Sequence, residues 1–541
     1  MNVLRASLAF AALLALGAAT AQAQGTAQTS GPVTDFDERP TGFLNAKTGG
    51  MVADAWSGTS LGFAKRLISA LPAAPHSRAL RDLQFKVMVS ALVPPAADGS
   101  PAPSLFARKV ERLAAMGEGE SLNEMVRSAG AYSDPVIAAQ VTNAMMMAGE
   151  REGACAVAQK NTLAPPFAER AAIACMLAAG DNGGALAAVA PFRHSDPPFA
   201  TLVSIAAGAT PPTVAPPGPI DGPAMTMIYF AHLPPPPATL STTQPPLLRA
   251  LVGQRTLAMS TRIEIAERGE SLAVIEATRL AELYVQAINE AAPLPPAMMR
   301  RAQLVAAARN AANPQDVMLA VHAVYGELRG SPLFSTVARA SAVALLNLPP
   351  KADYADVAQE AIRGFLLLGD KQLTRAWTKL ALQAAYNNAR AMNALDRLIP
   401  LIEIAGIENS QRLSPQDVNR WYEVVRQDDP RQAPLRGNLL LELFRATGFD
   451  LPPGSTDLPE KPPADARLVM PPAVTLQALQ AAGSARRHAE TAILASDAIG
   501  ETPLPELHPA AVGMIVSNLR AAGEDAAARL FAIETAIAHG L

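Results

Sequence analysis

Few residues in this chain can do chemistry, and they are scattered. The seven histidines are His76, His194, His232, His322, His488, His508 and His539. A zinc-protease site needs two histidines one helical turn apart around a glutamate, and no H-E-x-x-H is present. Each histidine reads as a surface or helix-capping residue, with His508 before Pro509 at a helix start. No G-x-S-x-G elbow presents a serine nucleophile, and no P-loop or dinucleotide fingerprint offers backbone amides to phosphate. Asp428 and Asp429 would serve acid–base catalysis only with one carboxyl desolvated in a cleft. Beside Pro430 they read as a solvated helix end. Met145, Met146 and Met147 point in three directions on a helix, which favours core packing over a soft-metal face. Tyr284, Tyr325, Trp377, Tyr386, Trp421 and Tyr422 read as interhelix packing. No catalytic, cofactor-binding or metal-ligating residue is assigned, and no cofactor is expected.

Cys155 and Cys175 are the two cysteines. The stretch 161–166 between them, with Pro165 and Pro166, reads as a turn joining two helices. Antiparallel neighbours would bring the sulfurs together, and an oxidising compartment would keep them bonded. Two small buried thiols are the other reading. A metal site falls short of four ligands.

The compartment is read from the start of the chain. Arg5, an apolar run over 8–19 and Ala21-Gln22-Ala23 have the order of a secretory signal peptide with a small-residue cleavage site. The run is too short for a bilayer, which needs about 20 apolar residues. The mature chain is expected to begin near Gln24, in the periplasm. No cysteine follows the cleavage site to carry a lipid, so a lipoprotein is not expected. Asp181, Asn182, Gly183 and Gly184 interrupt the next most apolar stretch, so no later membrane span is expected. Net charge is −3 without a Lys/Arg cluster, which argues against nucleic acid as a partner.

Composition then points to helices. Of the 541 residues, 50% are hydrophobic, 17% charged and 5% aromatic. Alanine is abundant, and it favours helix because it loses no side-chain entropy. The 47 prolines gather in clusters. Since proline breaks a helix interior, these clusters punctuate helices. Gly149-Glu150, Gly180-Asp181, Gly369-Asp370 and Gly523-Glu524 supply a second punctuation, a glycine to end one helix and an acid to start the next. Ser121 with Glu124 reads as a capping box, within a turn repeated at Gly269-Glu270-Ser271-Leu272. Ser414-Pro415-Gln416-Asp417 is a similar device with proline at the first helical position. Helical spacing covers 272–291, 357–368, 375–385, 418–425, 435–447 and 509–541, the last split at Gly523.

The expected fold is all-α, an irregular α-solenoid of stacked helical hairpins with no sheet. The expected order is a signal peptide at 1–23, a flexible segment at 24–54 and N-terminal repeats at 55–208. A Pro-rich connection with a short helix follows at 209–246, then central repeats at 247–450, a Pro-rich linker at 451–472 and C-terminal hairpins at 473–541.

Gly180-Asp181 before Ala185 and Gly523-Glu524 before Ala527 resemble the turns of tetratricopeptide repeats. A broader resemblance rests on Trp56 with Leu80-Arg81, Gly153-Ala154-Cys155 with Cys175, the run 244–250, and Leu519 to Gly523 with Ala528-Arg529-Leu530. On these the chain resembles uncharacterised exported, Ala-rich, tetratricopeptide-like helical proteins of high-GC Gram-negative bacteria. The resemblance implies no established activity. The expected function is a non-enzymatic periplasmic scaffold or adaptor binding another cell-envelope protein. The alternative is the helical platform of a peptidoglycan-processing enzyme.

The bridge has a direct check. Thiol counting under denaturing conditions, on protein isolated from the envelope, is expected to find no free thiol. Two free thiols would remove the Cys155–Cys175 pairing.

Overall fold

Asp181 shows how these helices start. Gly180 ends the preceding helix at φ +80°, a left-handed conformation suited to glycine. The Asp181 carboxylate then accepts from the Gly184 amide at 2.8 Å, and Asp370 does the same for the Leu373 amide at 2.9 Å. Glu150 and Glu524 occupy the same position without a side-chain cap, so there the acid only complements the helix dipole. The Ser414–Asp417 box closes in both directions. The expected Ser121–Glu124 box does not form. The helix already begins at Gly119, so Ser121 lies inside it, and Glu124 pairs with Arg127 instead.

The computed structural model describes residues 36–37, 39–210, 215–216, 218–386, 388–407, 413–449 and 466–541. The expected signal peptide 1–23 lies outside the described residues, as do 24–35, 211–214 with 217, and most of the linker, 450–465. Among the described residues the chain is all-α. It has 27 α-helices and no strand, only four isolated bridges. None of these helices is long and apolar enough to cross a membrane.

In the N-terminal part the helices are α1 (Leu61–Ala70), α2 (Arg78–Val89), α3 (Leu105–Ala115), α4 (Gly119–Ala129), α5 (Pro135–Ala148) and α6 (Arg151–Lys160). Next come α7 (Phe167–Ala178), α8 (Asn182–Ala188), α9 (Phe192–Ser195), α10 (Pro197–Ala206), α11 (Gly222–Phe230) and α12 (Pro245–Val252). The central part holds α13 (Met259–Ser271), α14 (Ala277–Asn289), α15 (Pro296–Asn310), α16 (Pro314–Leu328), α17 (Phe334–Ala342) and α18 (Ala358–Leu367). It continues with α19 (Lys371–Ala385), α20 (Ala389–Asp396), α21 (Ile399–Ala405), α22 (Pro415–Asp428) and α23 (Ala433–Thr447). The C-terminal hairpins are α24 (Ala473–Ser484) with α25 (His488–Ile499), and α26 (Pro509–Ala521) with α27 (Asp525–Ala538).

Two expectations are corrected. The segment 24–54 is not free along its described length. Phe43 and Leu44 amides both donate to the Val89 carbonyl, and Met51 is buried. The turn expected at Gly269-Glu270-Ser271 is the end of α13, and the chain turns only at 272–276. Glu270 is not a cap but a fully buried side chain.

Consecutive helices stack through the central part, α13 on α14, α14 on α15 and onward to α19. An open stack would end there. Here the C-terminal hairpins return: α25 packs on α1 and α2, and α27 packs on α2, α17, α18, α21 and α23. Such surroundings leave the second half of α27 no solvent face, and every residue from Phe531 to Ile537 is buried. A helix enclosed in this way must be apolar throughout. The one charged residue of that buried stretch, Glu534, accepts the Ser77 hydroxyl at 2.6 Å and the Ala79 amide at 3.3 Å. This places a carboxylate at the N-terminus of α2, where the helix dipole favours negative charge. Thr59 and Glu490 make a similar bond at 2.7 Å between the N-terminal part and α25.

Glu270 joins the remaining seam. It accepts a two-point bond from Arg339 of α17 at 2.6 and 2.8 Å, and one bond from Arg78 of α2 at 3.0 Å. Burial pushes the Glu270 carboxyl up, but the two guanidiniums outweigh it and hold the group below the usual carboxylate range. Glu270→Gln would take away the one carboxylate bonded to both guanidiniums. Urea unfolding is expected to show a loss of about 3–5 kcal/mol, the usual cost of breaking a buried ion pair from one side.

Candidate binding recess

Where α27 meets the central helices, packing leaves a recess of about 1050 Å³. Its walls come from three stretches far apart in sequence. The start of α2 contributes Arg78. The central part contributes side chains of α16, α17 and α18 together with Arg397, which follows α20. The C-terminal part contributes the turn Leu504–Glu506 and Glu534. A hollow of about 660 Å³ beside α14 and α15 is lined mainly by exposed polar side chains such as Glu282, Glu290 and Arg309.

The recess carries two groups of arginines. Arg78 and Arg339 are committed to Glu270. Arg329 and Arg397 share Asp428, at 3.4 and 2.7 Å. Asp428 is the exposed helix end expected beside Pro430, and it is also the carboxylate that two guanidiniums share. Arg363 of α18 is different. It is half-buried and has no hydrogen bond or ion pair among the described residues. Burial and the nearby charge of Arg329 hold its guanidinium below the ordinary value, with Tyr325 and Glu360 opposing.

Polar groups with spare capacity surround it. Tyr325 is 6% exposed, and its hydroxyl has no partner. Burial raises it above the ordinary tyrosine value, so it remains a hydroxyl donor. His322 Nδ1 lies 2.8 Å from Glu360 Oε1, while Glu360 Oε2 has no partner. Burial pushes the Glu360 carboxyl up against the lowering effect of His322. Apolar surface completes the wall through Leu333, Phe334, Leu504 and Ile537. Tyr325 meets Phe334 edge to face at 5.3 Å, which fixes its ring.

The residues weighed from sequence are distributed differently. His76 and His322 reach this one recess, His488 meets Glu524, and His508 caps the Ala510 amide. His194 and His232 are exposed. Met145, Met146 and Met147 are buried, as are Tyr284, Trp377, Trp421 and Tyr422, while Tyr386 is exposed. Cys155 and Cys175 are bonded between α6 and α7, with Cα atoms 5.5 Å apart, and neither lines the recess. Among the described residues no three His, Cys, Asp or Glu side chains gather as a metal set would. Sequence reasoning missed Glu270, Glu360, Arg363 and Glu534. One signal marks two of them: Arg363 and Glu534 stand in otherwise apolar helical runs, Ala361 to Leu368 and Leu530 to Ala538.

No protein-family model, curated protein or solved structure matches the chain.

His539 lies beside the recess wall, 9% exposed, with Nε2 unpartnered. Burial lowers it to about 4, from 6.5. The unfolded chain takes up this proton below about pH 6.5 and the folded chain resists it. Stability is therefore full above that pH and falls as pH drops toward 4. Urea midpoints at pH 7 and 4.5 are expected to show that fall, and His539→Gln to remove part of it.

Proposed function

We propose that this chain is an exported, non-enzymatic helical scaffold that binds another cell-envelope protein, and that the recess is its docking point. One observation carries the reading. A large preformed hollow, walled by three distant stretches and braced by Glu270, presents Arg363, which makes no ion pair within the fold. Preformed sites with a few converging polar groups on apolar walls suit recognition, because little order is lost on binding. The Cys155–Cys175 bond supports export, since such bonds persist in oxidising compartments.

A second reading, an enzyme of the cell-wall polymer, is favoured by Glu360. It is a buried carboxyl with raised proton affinity beside His322, in a cleft, which is the environment of a general acid.

Both readings are open to test with the full mature chain. As bait in periplasmic extract, the wild type is expected to retain a discrete envelope protein that Arg363→Glu loses while keeping its melting temperature. Equal recovery by both proteins would remove the recess from the interaction. Release of muropeptides by the wild type, abolished in Glu360→Gln, would establish the second reading instead.

A further inference from the structure

We infer that the recess holds a peptide carboxylate flanked by apolar side chains, with Arg363 as its anchor and the Tyr325 hydroxyl as a second donor. This deepens the docking reading above and rests on it.

Charge complementarity comes first. Arg78, Arg339, Arg329 and Arg397 each already face a carboxylate, so their roles are met within the fold. Arg363 makes no ion pair: Glu360 acts on it only from beyond bonding distance, and its neighbours Arg329 and Arg397 add positive potential. A half-buried guanidinium with no ion pair has its donors left for an incoming anion. The chain as a whole is acidic, at −3, so this surplus of positive charge is a local feature.

The donor set comes second. A guanidinium fork matches a carboxylate in two parallel hydrogen bonds. Tyr325 adds a buried donor with no other use in the fold. Three carboxyls of the wall oppose an anion: Glu360, whose Oε1 is engaged by His322, Glu534, which is held by Ser77 and Ala79, and Glu506 at the rim. Burial raises the proton affinity of Glu360, and its Oε2 has no partner in the fold.

The walls decide the class of anion. Inorganic phosphate, hydrated on all sides, gains nothing from Leu333, Phe334, Leu504 and Ile537. A peptide end with an apolar side chain beside its carboxylate uses both surfaces. The volume, about 1050 Å³, is at the upper end of ordinary ligand cavities and has room for several residues.

The test uses the mature, disulfide-bonded chain and three probes. These are the acetylated tripeptide alanyl-alanyl-leucine with a free carboxylate, the same peptide as its C-terminal amide, and inorganic phosphate. Calorimetric titration at millimolar concentration is expected to show the acid binding about tenfold or more tighter than the amide, in line with a charge-assisted pair. Arg363→Gln is expected to abolish that preference, and Tyr325→Phe to weaken it severalfold. Without ligand, Arg363→Gln is expected to melt at or above the wild-type temperature, because it removes an unpartnered charge. Equal binding of acid and amide, no binding of the acid, phosphate displacing the acid at equal concentration, or a lowered melting temperature in Arg363→Gln would each overturn the assignment. The two readings fail separately. Loss of the envelope partner in Arg363→Glu without any acid preference would sink the carboxylate but keep the docking site. Acid preference without any partner would do the reverse.

Discussion

A carboxylate taken out of water stays ionised only if cations follow it, and Glu270 carries that constraint for this fold. Its two partners come from opposite ends of a long sequence interval, Arg78 at the start of α2 and Arg339 in α17. Neither pairing is available to an open stack in which each helix touches only its neighbours. The ion triplet forms only when the chain has closed on itself. The return of α27 supplies the same condition from the other side, through Glu534 at the N-terminus of α2. Buried ionic groups add little net stability compared with apolar ones. What they add here is a single arrangement of three stretches that apolar, alanine-rich surfaces alone would leave free to slide.

The recess follows from that closure. Five helices converge on α27, and rigid rods meeting at angles cannot fill all the space between them. The walls inherit the positions of the closing residues, so Arg78, Arg339 and Glu534 both brace the seam and line the hollow. Arg363 has no bracing role and is the group left for a partner. Structural and recognition charges thus sit side by side and are separated by one criterion, whether the fold already neutralises them.

Much of the fold was legible in the sequence. Gly180 with Asp181 and Gly369 with Asp370 delimit helices because glycine tolerates the left-handed cap and aspartate accepts the amides that follow. The division of 509–541 at Gly523 matches α26 and α27. Local spacing misled where the pattern was ambiguous. Glu270, between glycine and serine, looks like a cap, yet it ends a helix whose flank is buried against α2 and α17. Asp428 is the exposed helix end that Pro430 suggested, but spacing did not show that Arg329 and Arg397 meet it there. The recess was not legible at all, since none of its polar groups forms a motif with a sequence neighbour except Glu360 and Arg363, one helical turn apart.

By itself the sequence determined the helices, their ends and the absence of a period-two pattern. These depend on backbone preference and on apolar spacing within about one turn. Only the tertiary structure decided which charges are buried together, which arginine is left without an ion pair, and that the last helix returns to α2. Those outcomes depend on distances between residues hundreds of positions apart. Local spacing carries no information about such distances, and burial alone determines what each charge costs there.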